Sequence, residues 1–383
     1  MAESKRIGLI GLSAKGSWAS RSHLGYLQKS PLYTITALQN SSKSAAEAAA
    51  KAYTLDSIVA THDDPSSIAS DPNVDIVAVS VNVLQHYALL RPAIEAGKDV
   101  FSEWPLGRNL AEAEELAQLA KEKGVRTMVG LQARQNPAIL KAKEIVASGK
   151  LGRIVGTTMY GHGVLLGSFI TENFRNYLPV EAGANLVTVP FAHAVDALCF
   201  VLGEVKDISA TLVNNRPEVI ILDAELKPSA KPTPKTAHDY VSITGTLEKG
   251  NGVVSVTYAP GLSRTGRDFV WEITGTEGSL LLEGGATMAG HVQMFQPTIK
   301  LATYDAEAAM YGVDIGDKHK LEEIEVEKAV DFSFNTGKAW EALAGVGLDK
   351  GHRVTTFEDA VLRHRMIDAI YRSAERGTRE NYF

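Results

Sequence analysis

Residues 6–16 read RIGLIGLSAKG, and this stretch decides the fold of the amino-terminal part of the chain. Residues 6–11 form an apolar run typical of a buried strand, and a predicted helix follows at residues 17–29. The dinucleotide-binding fingerprint places glycine at the first, third and sixth positions of the turn between such a strand and helix. Gly11 and Gly16 match it, whereas Ser13 replaces the middle glycine. The spacing predicts a phosphate-binding turn formed by Gly11, Ser13, Ala14 and Gly16. The alternative is a strand–helix connection that binds no ligand.

Strands and helices alternate along the first 130 or so residues. Apolar runs predict strands at residues 33–38, 75–81, 100–101 and 127–131, separated by helices at 44–52, 87–96 and 110–123. After residue 150, β-branched or alternating segments predict strands at 155–160, 205–213, 240–247, 252–258, 269–274 and 279–283, and helices at 192–202 and 357–377.

These patterns predict an α/β Rossmann dinucleotide-binding domain followed by an α+β domain with a large, mostly antiparallel open sheet. The first domain is expected at residues 1–130, and the second, for substrate and oligomerisation, at 131–383. It stays open at this point whether the final helix packs back on the first domain.

Composition narrows the classes of partner. The chain has 383 residues, a net charge of −6 and no strongly basic block, so direct nucleic-acid binding has no electrostatic support. We find no apolar stretch near the roughly 20 residues of a membrane helix, and His and Cys lack zinc-type spacing, so no metal is predicted. Cys199 is the single cysteine and has apolar neighbours. A buried, inert thiol in a cytoplasmic protein is therefore expected, with the nucleus open if the protein is a regulator.

The end of the second predicted strand bears on the choice of cofactor. An NAD site usually has Asp or Glu there to bind the ribose 2′-hydroxyl, but this chain has Asn40, Ser41, Ser42 and Lys43 instead. An amide, two hydroxyls and a lysine suit a 2′-phosphate better. We therefore expect NADP(H) to be preferred over NAD(H). The serines can also simply cap the next helix, and both roles are compatible.

Several motifs together resemble the glucose–fructose oxidoreductase, inositol dehydrogenase and rhizopine catabolism (Gfo/Idh/MocA) family over nearly the whole chain. Residues 74–81 with His86 are similar to the family's fourth strand and following loop. Residues 93–105 end in Glu-Trp-Pro where the family has Glu-Lys-Pro, and Arg134 with Pro137 matches an Arg-x-x-Pro element. Residues 273–278 and 357–374 resemble a turn and the closing helix of the second domain. The resemblance extends the expected cofactor-binding set to Val81, His86, Glu103, Trp104 and Arg134.

Within the family, the chain looks most like the Gal80-like branch of fungal galactose-pathway regulators, in residues 11–14, 103–104, 131–132 and 186–188. Family dehydrogenases use the motif lysine to hydrogen-bond the reacting oxygen, but Trp104 stands there. They also tend to have an aspartate four residues before the catalytic histidine, but Val189 stands there. The histidine remains as His193, with Asp196 on the same predicted helix.

The resemblance implies His193 as the proton donor, Tyr177 as a helper and Trp104 as a substrate-shaping wall. The open alternatives are a buried structural histidine for His193 and ordinary packing for Tyr177 and Trp104. His162 is a further candidate helper.

Two functions remain in view. The first is an NADP(H)-dependent oxidoreductase that transfers a hydride to or from a small carbonyl, sugar or imine substrate. The second is a non-catalytic dinucleotide-binding regulator. In either case the resemblance implies a homodimer or higher homo-oligomer formed through the C-terminal sheet, whose exposed face we expect to carry alternate apolar residues.

Overall fold

The computed structural model describes residues 4–55, 59–164, 167–284, 288–316 and 318–383. The chain divides into two compact units, the first comprising Met1–Gln135 and Val330–His364 and the second Asn136–Ala329 and Arg365–Phe383. The expected second domain, 131–383, thus differs from the second unit, because residues 330–364 group with the first. The physical reason is Trp340, which is buried in the apolar core of the first unit against the rings of Tyr33 and Phe101.

The first unit is built on a parallel sheet. Its described strands are β1 (Lys5–Ile10), β2 (Tyr33–Gln39), β3 (Ala60–His62), β4 (Ile76–Val79), β5 (Asp99–Glu103) and β6 (Thr127–Gly130). They lie in the order β3-β2-β1-β4-β5-β6, and every pairing is parallel. All four residues of β4 are buried, as expected of a strand covered on both faces. The predicted Rossmann fold is confirmed.

Helices of the first unit begin and end where local chemistry favours it. Ser42 caps helix Lys43–Ala52 by accepting a hydrogen bond from the Ala45 N–H, and Gly124 ends helix Leu110–Lys123 in the left-handed conformation. The helix predicted at 17–29 is a π-helical turn followed by one α-helical turn. The described helical segments are Ala19–Leu24 (π), Gly25–Leu27, Lys43–Ala52, Pro65–Ser70, Val83–Gln85 (3₁₀), His86–Glu95, Leu110–Lys123, Gln132–Gln135 (3₁₀), Phe334–Leu343 and Leu348–Lys350 (3₁₀).

The second unit contains the larger sheet. Its described strands are β7 (Ile154–His162), β8 (Phe169–Thr171), β9 (Val205–Val213), β10 (Glu218–Leu222), β11 (Thr233–Pro234), β12 (Tyr240–Leu247), β13 (Val253–Ala259), β14 (Phe269–Gly275), β15 (Ser279–Gly284), β16 (Thr298–Ala302) and β17 (Glu322–Ile324). One sheet has the order β17-β16-β15-β14-β7-β13-β12-β9, and a smaller one the order β11-β10-β8. In the large sheet the pairing of β13 with β7 is parallel and the other pairings are antiparallel. The predicted mostly antiparallel sheet is confirmed.

Burial alternates along the strands of this sheet. In β12, Val241 and Ile243 are buried, whereas Ser242 and Thr244 are partly or fully exposed. One face therefore packs on the core. The described helical segments of the second unit are Pro137–Ala147, Glu172–Tyr177 (3₁₀), Val180–Ala182 (3₁₀), Val187–Phe191 (π), Ala192–Leu202 and Ala306–Met310. Helix Phe357–Arg376 begins in the first unit and ends in the second.

Candidate functional site

The turn after β1 requires glycine at its first position. Gly11 has φ +98°, and a Cβ atom there would lie 2.3 Å from the carbonyl oxygen of Ser80 and 2.6 Å from the Val81 side chain. The strand ends therefore approach more closely than any side chain at position 11 permits. Gly16 also has positive φ (+91°), but a Cβ atom would meet nothing within 4 Å. Of these two glycines, Gly11 is therefore the one restricted by both conformation and space.

Ser13 replaces the middle glycine of the fingerprint, and it forms hydrogen bonds within the turn. Its hydroxyl accepts from the Lys15 N–H at 3.2 Å, and its carbonyl accepts from the Gly16 N–H at 3.0 Å. The Tyr53 hydroxyl donates to the same carbonyl at 2.8 Å. Ala14, Lys15 and Gly16 are exposed at the tip of the turn. The serine is therefore compatible with a tight turn whose outer residues are open to a ligand.

Some residues after β2 hold the local structure, whereas others are exposed to solvent. The Asn40 amide donates to the Leu12 carbonyl at 2.8 Å and so holds the turn, while Ser42 caps the following helix. Ser41 and Lys43 are exposed. Gln39, the last residue of β2, is buried, and its Oε1 has no hydrogen-bond partner among the described residues.

His86 ties together the loops that follow β4 and β5. It is buried, with Nδ1 2.8 Å from the Pro105 carbonyl oxygen and Nε2 3.1 Å from that of Val81. Burial lowers the pKa of His86, with the two carbonyls opposing the shift. The uncharged ring has one N–H and donates to one of these carbonyls at a time. This geometry gives His86 a structural role beside Val81.

Glu103 is the end point of a buried hydrogen-bond network. The Trp340 indole N–H donates to His23 Nδ1 at 3.2 Å, which leaves the His23 proton on Nε2, 2.7 Å from Glu103 Oε1. The Gln132 amide donates to Glu103 Oε2 at 3.0 Å. Glu103 was predicted to bind the cofactor, but both of its carboxylate oxygens form hydrogen bonds within the protein. Sequence reasoning missed His23 and Trp340, because 317 positions separate them.

Trp104 follows β5 directly and is 6% exposed. Its ring lies against the imidazole of His364, with centroids 4.7 Å apart. His364 was not anticipated from the sequence. The predicted cofactor ligand Arg134 is also buried and forms an ion pair with Asp359 at 3.0 Å.

The first unit fits a dinucleotide on one further ground. Gln39 Oε1, Ser80 Oγ, Gln132 Oε1 and His364 Nε2 are buried without hydrogen-bond partners in the described residues. Gln39 ends β2, Ser80 follows β4, and Gln132 lies two residues past β6. A buried unpaired polar atom costs about 1–3 kcal/mol, and the carboxyl ends of the strands are where open parallel sheets bind nucleotides. These atoms are therefore candidate contacts for a bound dinucleotide.

The candidate catalytic residues of the second unit are uncharged at neutral pH. Burial lowers the pKa of His193 to about 3; the negative charge of Asp196 opposes the shift and His291 adds to it. His193 Nδ1 has no partner among the described residues. Tyr177 is partly exposed as a whole residue, but burial of its hydroxyl raises its pKa to about 12. At neutral pH His193 can therefore accept a proton but holds none to give up as an imidazolium.

His162 already has partners for both ring nitrogens. Nε2 lies 2.6 Å from the Tyr160 hydroxyl and Nδ1 3.2 Å from the Pro260 carbonyl oxygen. These contacts favour a structural role for His162 over the helper role considered from the sequence. Helix Ala192–Leu202 carries both His193 and Asp196, as predicted. Val189 lies in the preceding π-helical turn, Val187–Phe191.

Two negative findings concern the described part of the chain. It contains no cluster of three or more His, Cys, Asp or Glu side chains arranged to hold a metal ion. Nor does any helix in those same ranges combine the length and apolar character needed to cross a membrane.

Comparison with protein families divides the chain much as its contacts do. Residues 5–131 match the Gfo/Idh/MocA model, described as an oxidoreductase family with an NAD-binding Rossmann fold. Residues 137–284 match the model of the Gal80p C-terminal domain.

Individual relatives cover the whole length. The dehydrogenase aclE of Aspergillus oryzae is 36% identical, with 100% of this chain and 99% of the relative aligned. The galactose/lactose metabolism regulatory protein GAL80 of Saccharomyces cerevisiae is 30% identical over 98% of this chain and 94% of its own. A crystal structure of a super-repressor mutant of Gal80p from the same yeast superposes with a TM-score of 0.86 at 26% identity, covering 99% of this chain and 98% of that one. Relatives of this chain thus include both a dehydrogenase and a regulator.

Proposed function

The chain belongs to the Gfo/Idh/MocA oxidoreductase family, in its Gal80-like branch, and from that premise we propose that it is an NADP(H)-dependent oxidoreductase acting on a small carbonyl, sugar or imine. The observation that carries the proposal is the set of buried, unpaired polar atoms at the carboxyl ends of β2, β4 and β6. The full-length similarity to a dehydrogenase supports the enzymatic part. When bound, the nicotinamide supplies or accepts the hydride.

The residues proposed to hold the dinucleotide lie in the first unit. Gly11 leaves the pyrophosphate room beside Ser80, and the exposed tip of the turn presents backbone N–H groups. Gln39, Ser80 and Gln132 supply buried oxygens that have no other partner among the described residues. Asn40, Ser42 and His86 shape this region through their backbone contacts.

The proposed preference for NADP(H) rests on charge. No carboxylate follows β2, and Lys43 is exposed in the first turn of the next helix. A 2′-phosphate paired with an exposed lysine gains up to about 1 kcal/mol, so Lys43→Ala should raise the Kd for NADPH about fivefold and leave that for NADH unchanged. Lys51→Ala is the matched control, because Lys51 is exposed in the last turn of the same helix. Calorimetric titration of the wild type and both variants with NADPH and with NADH measures all six dissociation constants. A wild-type preference for NADH would contradict the assignment.

His193 is the proposed proton-handling group. Burial keeps its ring uncharged at neutral pH, so the ring can accept the proton of an alcohol as the hydride leaves carbon. In the reverse direction the same group returns that proton to the carbonyl oxygen, which is the donor role expected from the sequence. His193→Ala should lower turnover about a hundredfold or more while the Kd for NADPH stays unchanged. Full turnover in the variant would assign the proton to Tyr177, water or the substrate.

The second candidate function is a non-catalytic regulator that binds the dinucleotide. Trp104 and Val189 stand where the family's lysine and aspartate are expected, and the yeast regulator aligns over nearly its full length. Absorbance of reduced nicotinamide, followed with a panel of ketones, aldehydes, imines and sugars, separates the two. Tight NADPH binding without oxidation by any member of the panel would favour the regulator.

A further inference from the structure

His364 differs from the other buried histidines of the first unit. His23 and His86 each place both ring nitrogens near a polar partner, and His352 Nδ1 lies 2.7 Å from Gln135 Oε1. His364 is 5% exposed, and its Nε2 has no partner within the described residues. Its ring contact is with Trp104. Burying a nitrogen without a hydrogen-bond partner is unfavourable, which points to a ligand atom that completes it.

The contact with Trp104 places His364 within the strand order. A sheet ordered β3-β2-β1-β4-β5-β6 consists of two mononucleotide-binding halves that meet between β1 and β4. The ribose recognised after β2 belongs to adenosine, so the half containing β4, β5 and β6 faces the nicotinamide nucleotide. Trp104 directly follows β5. The Trp104–His364 pair therefore lies at the nicotinamide end of the proposed site.

We propose that His364 binds a carbonyl or hydroxyl oxygen at the nicotinamide end of the dinucleotide site through its unpaired ring nitrogen, with Trp104 fixing the ring. The inference rests on the proposed function, because it needs a bound dinucleotide. The oxygen belongs either to the nicotinamide carboxamide or to the substrate, and both offer the same hydrogen-bond chemistry. The contact is a hydrogen bond, and no bond is made or broken by His364.

The electrostatics of His364 agree with this role. Burial lowers its pKa to about 3, so the ring is uncharged at neutral pH. A neutral imidazole N–H can polarise a carbonyl without transferring its proton. The neighbouring indole of Trp104 can only donate, so His364 adds a group that can also accept.

Two substitutions test the inference by binding alone. His364→Phe keeps an aromatic ring against Trp104 and removes both nitrogens, whereas His364→Gln retains an amide N–H near the position of Nε2. The Phe variant should raise the Kd for NADP⁺ about three- to tenfold if the carboxamide is the partner, and Gln should restore it. Adenosine 2′,5′-bisphosphate lacks nicotinamide, so its Kd should not change. His238→Phe is the matched control, since His238 also has an unpaired Nδ1 and packs on an aromatic ring, that of Tyr371, in the second unit. Thermal unfolding verifies that each variant is folded.

Nitrogen NMR of histidine-labelled wild-type protein identifies the source of the oxygen. The His364 signals are those missing from the His364→Phe spectrum. Their displacement by NADP⁺ alone assigns the carboxamide; displacement only when D-xylose or D-galactose joins the NADPH complex assigns the substrate. If NADP⁺ binds while His364 responds neither to it nor to the sugars, and His364→Phe binds NADP⁺ normally, the inference is overturned and the proposed function stands. If the wild-type protein binds no dinucleotide, both the proposed function and this inference fail.

Discussion

Gly11 and Gly16 form a matched pair that separates conformational strain from lack of space. Both have positive φ, so alanine at either position incurs about 1–3 kcal/mol of backbone strain. At Gly11 the new methyl group would also lie 2.3 Å from the Ser80 carbonyl oxygen. Overpacking of this kind costs about 1–3 kcal/mol more. Gly11→Ala should therefore destabilise the first unit by about 2–6 kcal/mol, and Gly16→Ala by about 1–3 kcal/mol.

Urea unfolding followed by tryptophan fluorescence suits this comparison. Trp18, Trp104 and Trp340 lie in the first unit and Trp271 in the second, so the signal reports mainly on the unit that carries the change. A lower midpoint at an unchanged m-value indicates lost stability. NADP⁺ affinity should fall with Gly11→Ala even where the protein is folded, because relief of the clash displaces Ser80 or the turn.

The reasoning would be refuted by equal unfolding free energies for the two variants. That result would mean that Ser80 and Val81 yield to a methyl group at no cost, and that positive φ alone explains the glycine at position 11. A folded Gly11→Ala protein with unchanged NADP⁺ affinity would instead separate the turn from the ligand site.

Two further predictions concern pH and assembly. The hydrogen bonds from Arg6 hold the pKa of Asp75 at about 2, so this depressed carboxylate stabilises the folded state above about pH 4, and the contribution is lost as pH falls towards 2. Asp75→Asn should lower the unfolding free energy by up to about 1 kcal/mol at neutral pH, and a difference that persists at pH 2 in urea titrations would contradict the assignment. The protein should also be a dimer through the large sheet of the second unit. Light scattering should give the monomer mass for Thr158→Arg, on the central strand β7, and the dimer mass for Thr211→Arg, on the terminal strand β9. A monomeric wild type would count against this prediction.

The sequence predicted those elements whose periodicity is local. Strands Val205–Val213 and Tyr240–Leu247 and helix Ala192–Leu202 occur at the predicted bounds, because alternation or a continuous apolar run ends at a turn residue. The short strand Ala60–His62 and helix Pro65–Ser70 were missed, since neither carries a recognisable apolar period. Helix Phe334–Leu343 was also missed. Its Trp340 packs on strands near the start of the chain, a contact that no local pattern encodes.

The outward face of the large sheet carries both apolar and hydroxyl-bearing side chains. Apolar residues were expected there, and Tyr160, Tyr240 and Val253 lie at exposed or partly exposed positions of β7, β12 and β13. The same strands also present Thr158, Ser242, Thr244, Ser255 and Thr257 at such positions. Hydroxyl groups of this kind can pair across a symmetric interface, so the proposed dimer rests on apolar and polar contacts together. The periodicity of a strand predicts on which face of the sheet a residue lies, but it does not predict which partner covers that face.

The sequence allows the positions of the site residues to be predicted more readily than their roles. The phosphate turn could be placed from Gly11 and Gly16 alone, because its geometry is local. Glu103 and Arg134 carry a resemblance to cofactor-binding residues, yet in this structure they pair with His23 and with Asp359. Both partners lie far away along the chain. Their part in cofactor binding remains a prediction.

The charge state of the histidines bears most on whether the protein is an enzyme or a regulator. His193 and His364 are both uncharged at neutral pH because each is buried. Trp104 cannot exchange a proton at neutral pH, and His193 and His364 are neutral imidazoles, so none of the three is a charged acid ready to reduce a carbonyl. If the protein is an enzyme, carbonyl reduction consumes a proton and should therefore accelerate as pH falls. If it is a regulator, the same neutral groups suffice, since binding a dinucleotide needs hydrogen bonds and no proton transfer. Initial rates in both directions across pH distinguish these cases more directly than dinucleotide affinity, which both predict.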